Sequence, residues 1–160
     1  MESYVFPGNI DERISSIGAA DIPYMRTDEF SAINLESSGI LLDLIHCKGG
    51  RTIIYTGSGT GAMTAIVENY VSTKKKALAI NGGSFGQRWV DLCRYYGIPV
   101  VDFKVEFTHE PDYERLAATV ADEKPDVLLC QHHETSSGVL YDLGRISGIC
   151  RENGTSLVAD

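Results

Sequence analysis

The feature that most constrains this chain is a repeated order. A short, β-branched apolar segment is followed by a turn, and the turn by an amphipathic stretch of helical spacing. Thr52–Thr56, Ala77–Ile80, Val100–Phe103, Val127–Cys130 and Ser156–Ala159 read as buried strands. Between them, Ala62–Val71, Gln87–Tyr96, Tyr113–Asp122 and Asp142–Arg151 read as helices. Asp112 is the expected N-cap of the third of these, and Gly97 closes the second. Ser31–Lys48 has the same helical spacing ahead of the first strand and is expected to stop at Gly49-Gly50. Strands alternating with helices of this length need right-handed crossovers, which bury a parallel sheet on both faces. The expected fold class is therefore α/β, a three-layer α/β/α arrangement with a mostly parallel sheet. Ligands bind beyond the carboxyl ends of such strands. The chain finishes at Asp160, flush with an apolar strand, so it is expected to be the front part of a longer domain.

Charge and composition narrow the partners. Lys plus Arg number 14 against 22 Asp plus Glu, a net charge of −8, which disfavours a phosphate backbone as ligand. The one basic run, Lys74-Lys75-Lys76, reads as a solvated turn between helix and strand. The longest apolar run, Gly39–Ile45, is interrupted by Asp43 and falls far short of the ~18 residues of a membrane span. The opening MESYVFPGNIDER carries no secretory pattern. Cys47, Cys93, Cys130 and Cys150 match no zinc spacing and read as reduced thiols of a cytoplasmic protein. His132-His133-Glu134 places potential metal ligands in a row. Adjacent strand residues point to opposite faces, and no third ligand is spaced nearby, so no metal is expected. Arg88 reads as a brace for its own helix.

The chemistry is concentrated in Gly57-Ser58-Gly59-Thr60-Gly61, which links a strand to a helix. Free backbone N–H groups and the positive end of the helix dipole meet there and favour an anion. A P-loop needs Lys after the last Gly, and Ala62 stands in its place. A dinucleotide fingerprint fits Gly57, Gly59 and Ala62 but needs an acid at the end of the second strand, where Asn81-Gly82-Gly83 stands. A single phosphate on an aromatic heterocycle needs only the loop and the helix end. It asks further for a ring stacker, an acid and a lysine.

Four segments, GSGTGAM at 57–63, NGGSFGQRW at 81–89, HETSSGVL at 133–140 and SLVAD at 156–160, occur in an order and separation that resemble the class V aminotransferases. These are pyridoxal 5'-phosphate enzymes of fold type I. The alanine–glyoxylate, serine–pyruvate and 2-aminoethylphosphonate–pyruvate aminotransferases are the most similar members. The resemblance covers about residues 50–160, and Tyr4 to Phe30 is compatible with it. It implies that Ser58, Gly59 and Thr60 hold the cofactor phosphate and that Phe85 stacks on the pyridine ring. It further implies that Thr135 bonds the cofactor edge and that Asp160 pairs with the pyridine nitrogen. Residues 1–50 would be an N-terminal segment and helix, and 51–160 the first part of the cofactor-binding large domain.

The same resemblance puts the Schiff-base lysine on the segment after the strand ending in Asp160. Lys48, Lys74, Lys75, Lys76, Lys104 and Lys124 do not fall there. The implied activity is transamination between a small amino donor and a 2-oxo acid of the pyruvate or glyoxylate type, carried out by a homodimer. The present residues alone are expected to be inactive. A non-catalytic fragment that binds phosphate or a partner chain remains open at this point, as does a dinucleotide-binding domain. Desulfurases and other lyases share the general fold but differ in their usual cofactor-loop residues.

Overall fold

The computed structural model describes residues 10–160, so the expectation over Tyr4–Asn9 lies outside the described residues. The chain divides into two compact units, Met1–Tyr55 and Thr56–Asp160. The first holds helices α1 (Glu12–Ala19) and α2 (Asp28–Leu44). Asp11 caps α1 by accepting from the Arg13 amide, and Thr27 caps α2 by accepting from Phe30 N at 3.3 Å. Helix α1 was not anticipated from the sequence. Helix α2 ends at Leu44 rather than at Gly49-Gly50, because the chain turns at His46, which has a φ of +53°.

The second unit is the α/β body. In chain order it contains α3 (Gly59–Asn69), a short 3-10 turn at Val71–Thr73, β1 (Ala77–Asn81), α4 (Ser84–Tyr95), β2 (Val100–Lys104), α5 (Tyr113–Glu123), β3 (Val127–Cys130), β4 (His133–Glu134), β5 (Val139–Leu140), α6 (Leu143–Glu152) and β6 (Ser156–Ala159). The main sheet is parallel throughout, in the order β2-β1-β3-β6. Strands β4 and β5 form a separate antiparallel hairpin.

Side-chain alternation divides the core between the two sheet faces. Ala77, Ala79, Val127 and Leu129 pack with Met63 and Val67 of α3 and with Trp89, Val90 and Cys93 of α4. Leu78, Ile80, Leu128 and Cys130 pack on the opposite face with Leu116 and Val120 of α5 and Ile146 and Ile149 of α6. These helices bury residues at helical spacing, Trp89, Val90 and Cys93 for example, so each sheet face is covered by the apolar stripes of two helices. The three layers expected from the sequence are present.

One expected strand is absent. Thr52–Thr56 is irregular and unpaired, and Ile53 and Ile54 are 88% and 59% exposed. A β-branched run becomes a strand only when a neighbour supplies its ladder, and no strand among the described residues does so. The two glycine loops are also shorter than expected. Gly59 and Ser84, assigned to loops, already lie in the first turns of α3 and α4.

Candidate active site

The carboxyl ends of the central strands carry a row of polar side chains. The pairs Ala79↔Leu129 and Leu129↔Val158 fix the register. Two residues further along, Asn81, Gln131 and Asp160 therefore stand side by side. The Asp160 amide donates to the Cys130 carbonyl at 3.0 Å, and the Asp160 carbonyl accepts from His132 N at 2.8 Å, so the ladder continues through this row. All three residues are in phase with the strand positions that face α3 and α4. Asn81 is buried and donates through Nδ2 to Gln87 Oε1 at 2.9 Å and to Asp102 Oδ1 at 2.8 Å.

Above this row begins α4. Its N-cap, Gly83, has no side chain to offer the orphan amides of the first turn. Glu134, fully buried at the end of the short strand β4, supplies the acceptors instead. Its Oε2 accepts from Gly86 N at 2.9 Å, and its Oε1 accepts from Phe85 N at 3.4 Å. The Ser136 hydroxyl donates to Glu134 Oε1 at 2.6 Å and accepts from Ser84 N at 2.8 Å. A carboxylate at this terminus is favoured by both the amides and the helix dipole. The approach depends on glycine. A Cβ on Gly83 would fall 2.6 Å from Glu134 Cδ, and one on Gly86 would fall 2.6 Å from the Ile80 carbonyl oxygen.

The N-terminus of α3 differs. Ser58 Oγ accepts from Gly61 N at 3.1 Å, and Ala62 N donates to the Ser58 carbonyl. The amides of Gly59 and Thr60 have no acceptor among the described residues. Helix α3 ends a few residues before β1 begins, so it runs back along the sheet. Its N-terminus therefore lies toward the carboxyl ends of the strands.

The residues singled out from the sequence are distributed as follows. Phe85, in the first turn of α4, is half-buried against the cluster on the α3 and α4 face. Asp160 ends the polar row. Burial pushes its carboxyl above the usual range. The Gln131 amide, near it but outside hydrogen-bonding geometry, opposes that rise, and the Glu134 charge adds to it. Thr135 is exposed in the turn between β4 and β5, directly after Glu134. Ser58 is the α3 N-cap, and Gly59 and Thr60 form its first turn. No hydrogen bond among the described residues joins Ser58–Thr60 to the Glu134 cluster.

Sequence reasoning assigned no role to Glu134, Ser136, Asn81 or Gln131. Among the described residues no three His, Cys, Asp or Glu side chains converge as a metal site.

A parallel sheet covered by helices on both faces, with the α3 N-cap and Asp160 bordering its central strands, defines a three-layer α/β protein. The aminotransferase class-V model matches residues 30–160, and the chain belongs to that family of pyridoxal 5'-phosphate-dependent proteins. It is 30% identical over 143 residues to a serine–glyoxylate aminotransferase of Hyphomicrobium methylovorum, covering 88% of this chain and 35% of the relative. It is 29% identical over 136 residues to a 2-aminoethylphosphonate–pyruvate transaminase of Pseudomonas aeruginosa, covering 82% of this chain and 36% of the relative. The alanine–glyoxylate aminotransferase structure from Nostoc sp. superposes with a TM-score of 0.87 at 27% identity, over 96% of this chain and 41% of that one. The chain thus spans about a third of the length of the curated relatives it matches. No helix among the described residues is long and apolar enough to cross a membrane.

Proposed function

We propose that residues 51–160 form the first part of the cofactor-binding large domain of an aminotransferase. The whole protein to which they belong would move an amino group between a small amino acid or amine and a 2-oxo acid of the pyruvate or glyoxylate type. We place it in the cytoplasm as a homodimer. The observation that carries this reading is the open terminus of α3. Two amides and the Ser58 cap stand without an internal anion there, while the neighbouring terminus of α4 is filled by Glu134.

The residues present fit pyridoxal 5'-phosphate. A phosphate takes the Gly59 and Thr60 amides, with Ser58 and Thr60 offering hydroxyls. Phe85 offers a ring face. Asp160 offers a carboxylate that keeps a pyridine nitrogen protonated by opposite charge. Thr135 offers a hydroxyl at the rim. When bound, the cofactor supplies an electron sink for the charge released as an amino acid loses its α-proton. The chain's own residues bind and orient. None of the six lysines present falls where the resemblance puts the Schiff-base lysine, so amino transfer is not expected from these residues alone.

Titration of the chain with pyridoxal 5'-phosphate, followed by absorbance, tests the reading. Saturable binding that inorganic phosphate displaces is expected, and borohydride should fix no product on the six lysines. Absence of saturable binding overturns it in favour of a non-catalytic, partner-binding fragment. Amino transfer to glyoxylate or pyruvate by an extended chain containing the downstream lysine tests the activity.

A further inference from the structure

Gln131 is the one side chain of the polar row without a visible task. It is 1% exposed, and neither Nε2 nor Oε1 has a hydrogen-bond partner among the described residues. A buried amide left unpaired forfeits the hydrogen bonds it made to water, so native structures rarely keep one without a use. Its neighbours in the row narrow that use. On one side, Asn81 already donates to both Gln87 and Asp102. On the other, one strand spacing away, roughly 4.8 Å, stands Asp160. The Asp160 carboxylate accepts no side-chain hydrogen bond within normal limits; burial raises its pKa, and the nearby Gln131 amide opposes that rise. The other titratable groups around Asp160 are Glu134, from the β4 hairpin, and Cys130, from β3.

We propose that Gln131 is a positioning residue for Asp160: its Nε2, unpaired here, is the donor placed to engage the Asp160 carboxylate and hold it, ionised, toward the α3 and α4 face of the sheet. This inference rests on the reading above that Asp160 pairs with the pyridine nitrogen. It assigns to Gln131 the work of keeping that acid charged beside Glu134. A Gln with a purely structural role would behave differently, because replacing it with an apolar side chain of like length would relieve two unpaired polar atoms at no cost.

The test is a carboxyl-carbon NMR titration of Asp160 in the chain and in its Q131M variant, without cofactor. Q131M is expected to raise the Asp160 midpoint by about one pH unit, a roughly tenfold change in proton affinity. An unmoved midpoint together with a higher Tm overturns the proposal. Should Q131M fail to fold, the unaltered chain decides. The Gln131 side-chain amide protons must shift in step with the Asp160 titration, and amide protons indifferent to it overturn the proposal. Failure of the functional reading is separable. If Q131M moves the midpoint but D160N leaves pyridoxal 5'-phosphate binding unchanged, the Gln131–Asp160 pair stands and the cofactor role of Asp160 falls.

Discussion

Two helices on the same face of this sheet begin on glycine-rich turns, and they satisfy their first amides in opposite ways. Helix α4 has its terminus closed from within by the buried Glu134 and by Ser136. Helix α3 spends one hydroxyl, that of Ser58, and leaves the Gly59 and Thr60 amides open. Both sequences contain the elements of an anion site, glycines, a serine and a helix start. The difference lies in whether a distant residue of the same chain supplies the negative charge. A glycine turn before a helix is therefore a statement about backbone donors alone. Whether they serve a ligand or the fold depends on what the rest of the chain brings to them.

The largest effect should come from opening the closed terminus. Glu134→Ala strands two α4 amides, those of Phe85 and the buried Gly86, and removes the acceptor of the Ser136 hydroxyl, and a loss of about 3 kcal/mol is expected in urea unfolding. A loss under about 1 kcal/mol would mean that water reaches this terminus and that it is no more closed than α3. The second effect sharpens the other side. Gly59→Pro removes one open amide at the first helical position, where proline is tolerated. Ser58 is already extended, with φ −85° and ψ 164°, as a residue before proline must be, and nothing lies within 4 Å of a Cβ at position 59. Pyridoxal 5'-phosphate affinity should fall about tenfold, measured by absorbance titration, with stability nearly unchanged. Equal affinity would place the phosphate elsewhere.

Ser58→Ala comes next. It removes the α3 cap and should cost about 1 kcal/mol of stability, read from the urea midpoint. Smaller still is the effect at Asp126, a near-surface counterpart of Glu134 whose Oδ2 accepts from Lys75 N at 2.8 Å and Lys76 N at 3.0 Å. Those amides hold its carboxyl below the usual range. Its contribution is fully present above the ordinary Asp value and is lost as pH falls through the lowered one. Asp126→Asn should thus flatten the acid side of the stability profile below the ordinary Asp value of about 4. Thiol labelling completes the series. Burial pushes the Cys93 and Cys150 thiols up to about 11 and Cys130 up to about 12, whereas Cys47 is exposed. Cys47 should label quickly in the native protein and the other three only on unfolding.

The four paired strands of the main sheet were legible in the sequence because each is a short segment rich in apolar residues bounded by turn residues, a pattern strictest in the fully buried central strands β1 and β3. The N-caps Asp112 and Asp142 were legible because capping is local. Thr52–Thr56 misled because its pattern is that of a strand, while pairing depends on a neighbour that local sequence does not contain. Glu134 escaped assignment because a charged residue between a histidine and a threonine reads as surface. Only the fold carries it to Gly86, 48 residues away along the chain. Gln131 escaped because an amide ending an apolar strand looks like the start of a loop, whereas the register places it between Asn81 and Asp160.

Local sequence determined the order of strands and helices, the layering that follows from their periodicity, and the family to which the chain belongs. It also determined where amides are left without intrahelical partners, because helix ends are set within a few residues. The tertiary structure alone decided which of those ends is already occupied and which side chains share a row. Both depend on residues brought together across tens of positions, and no periodicity in the chain encodes a contact of that kind.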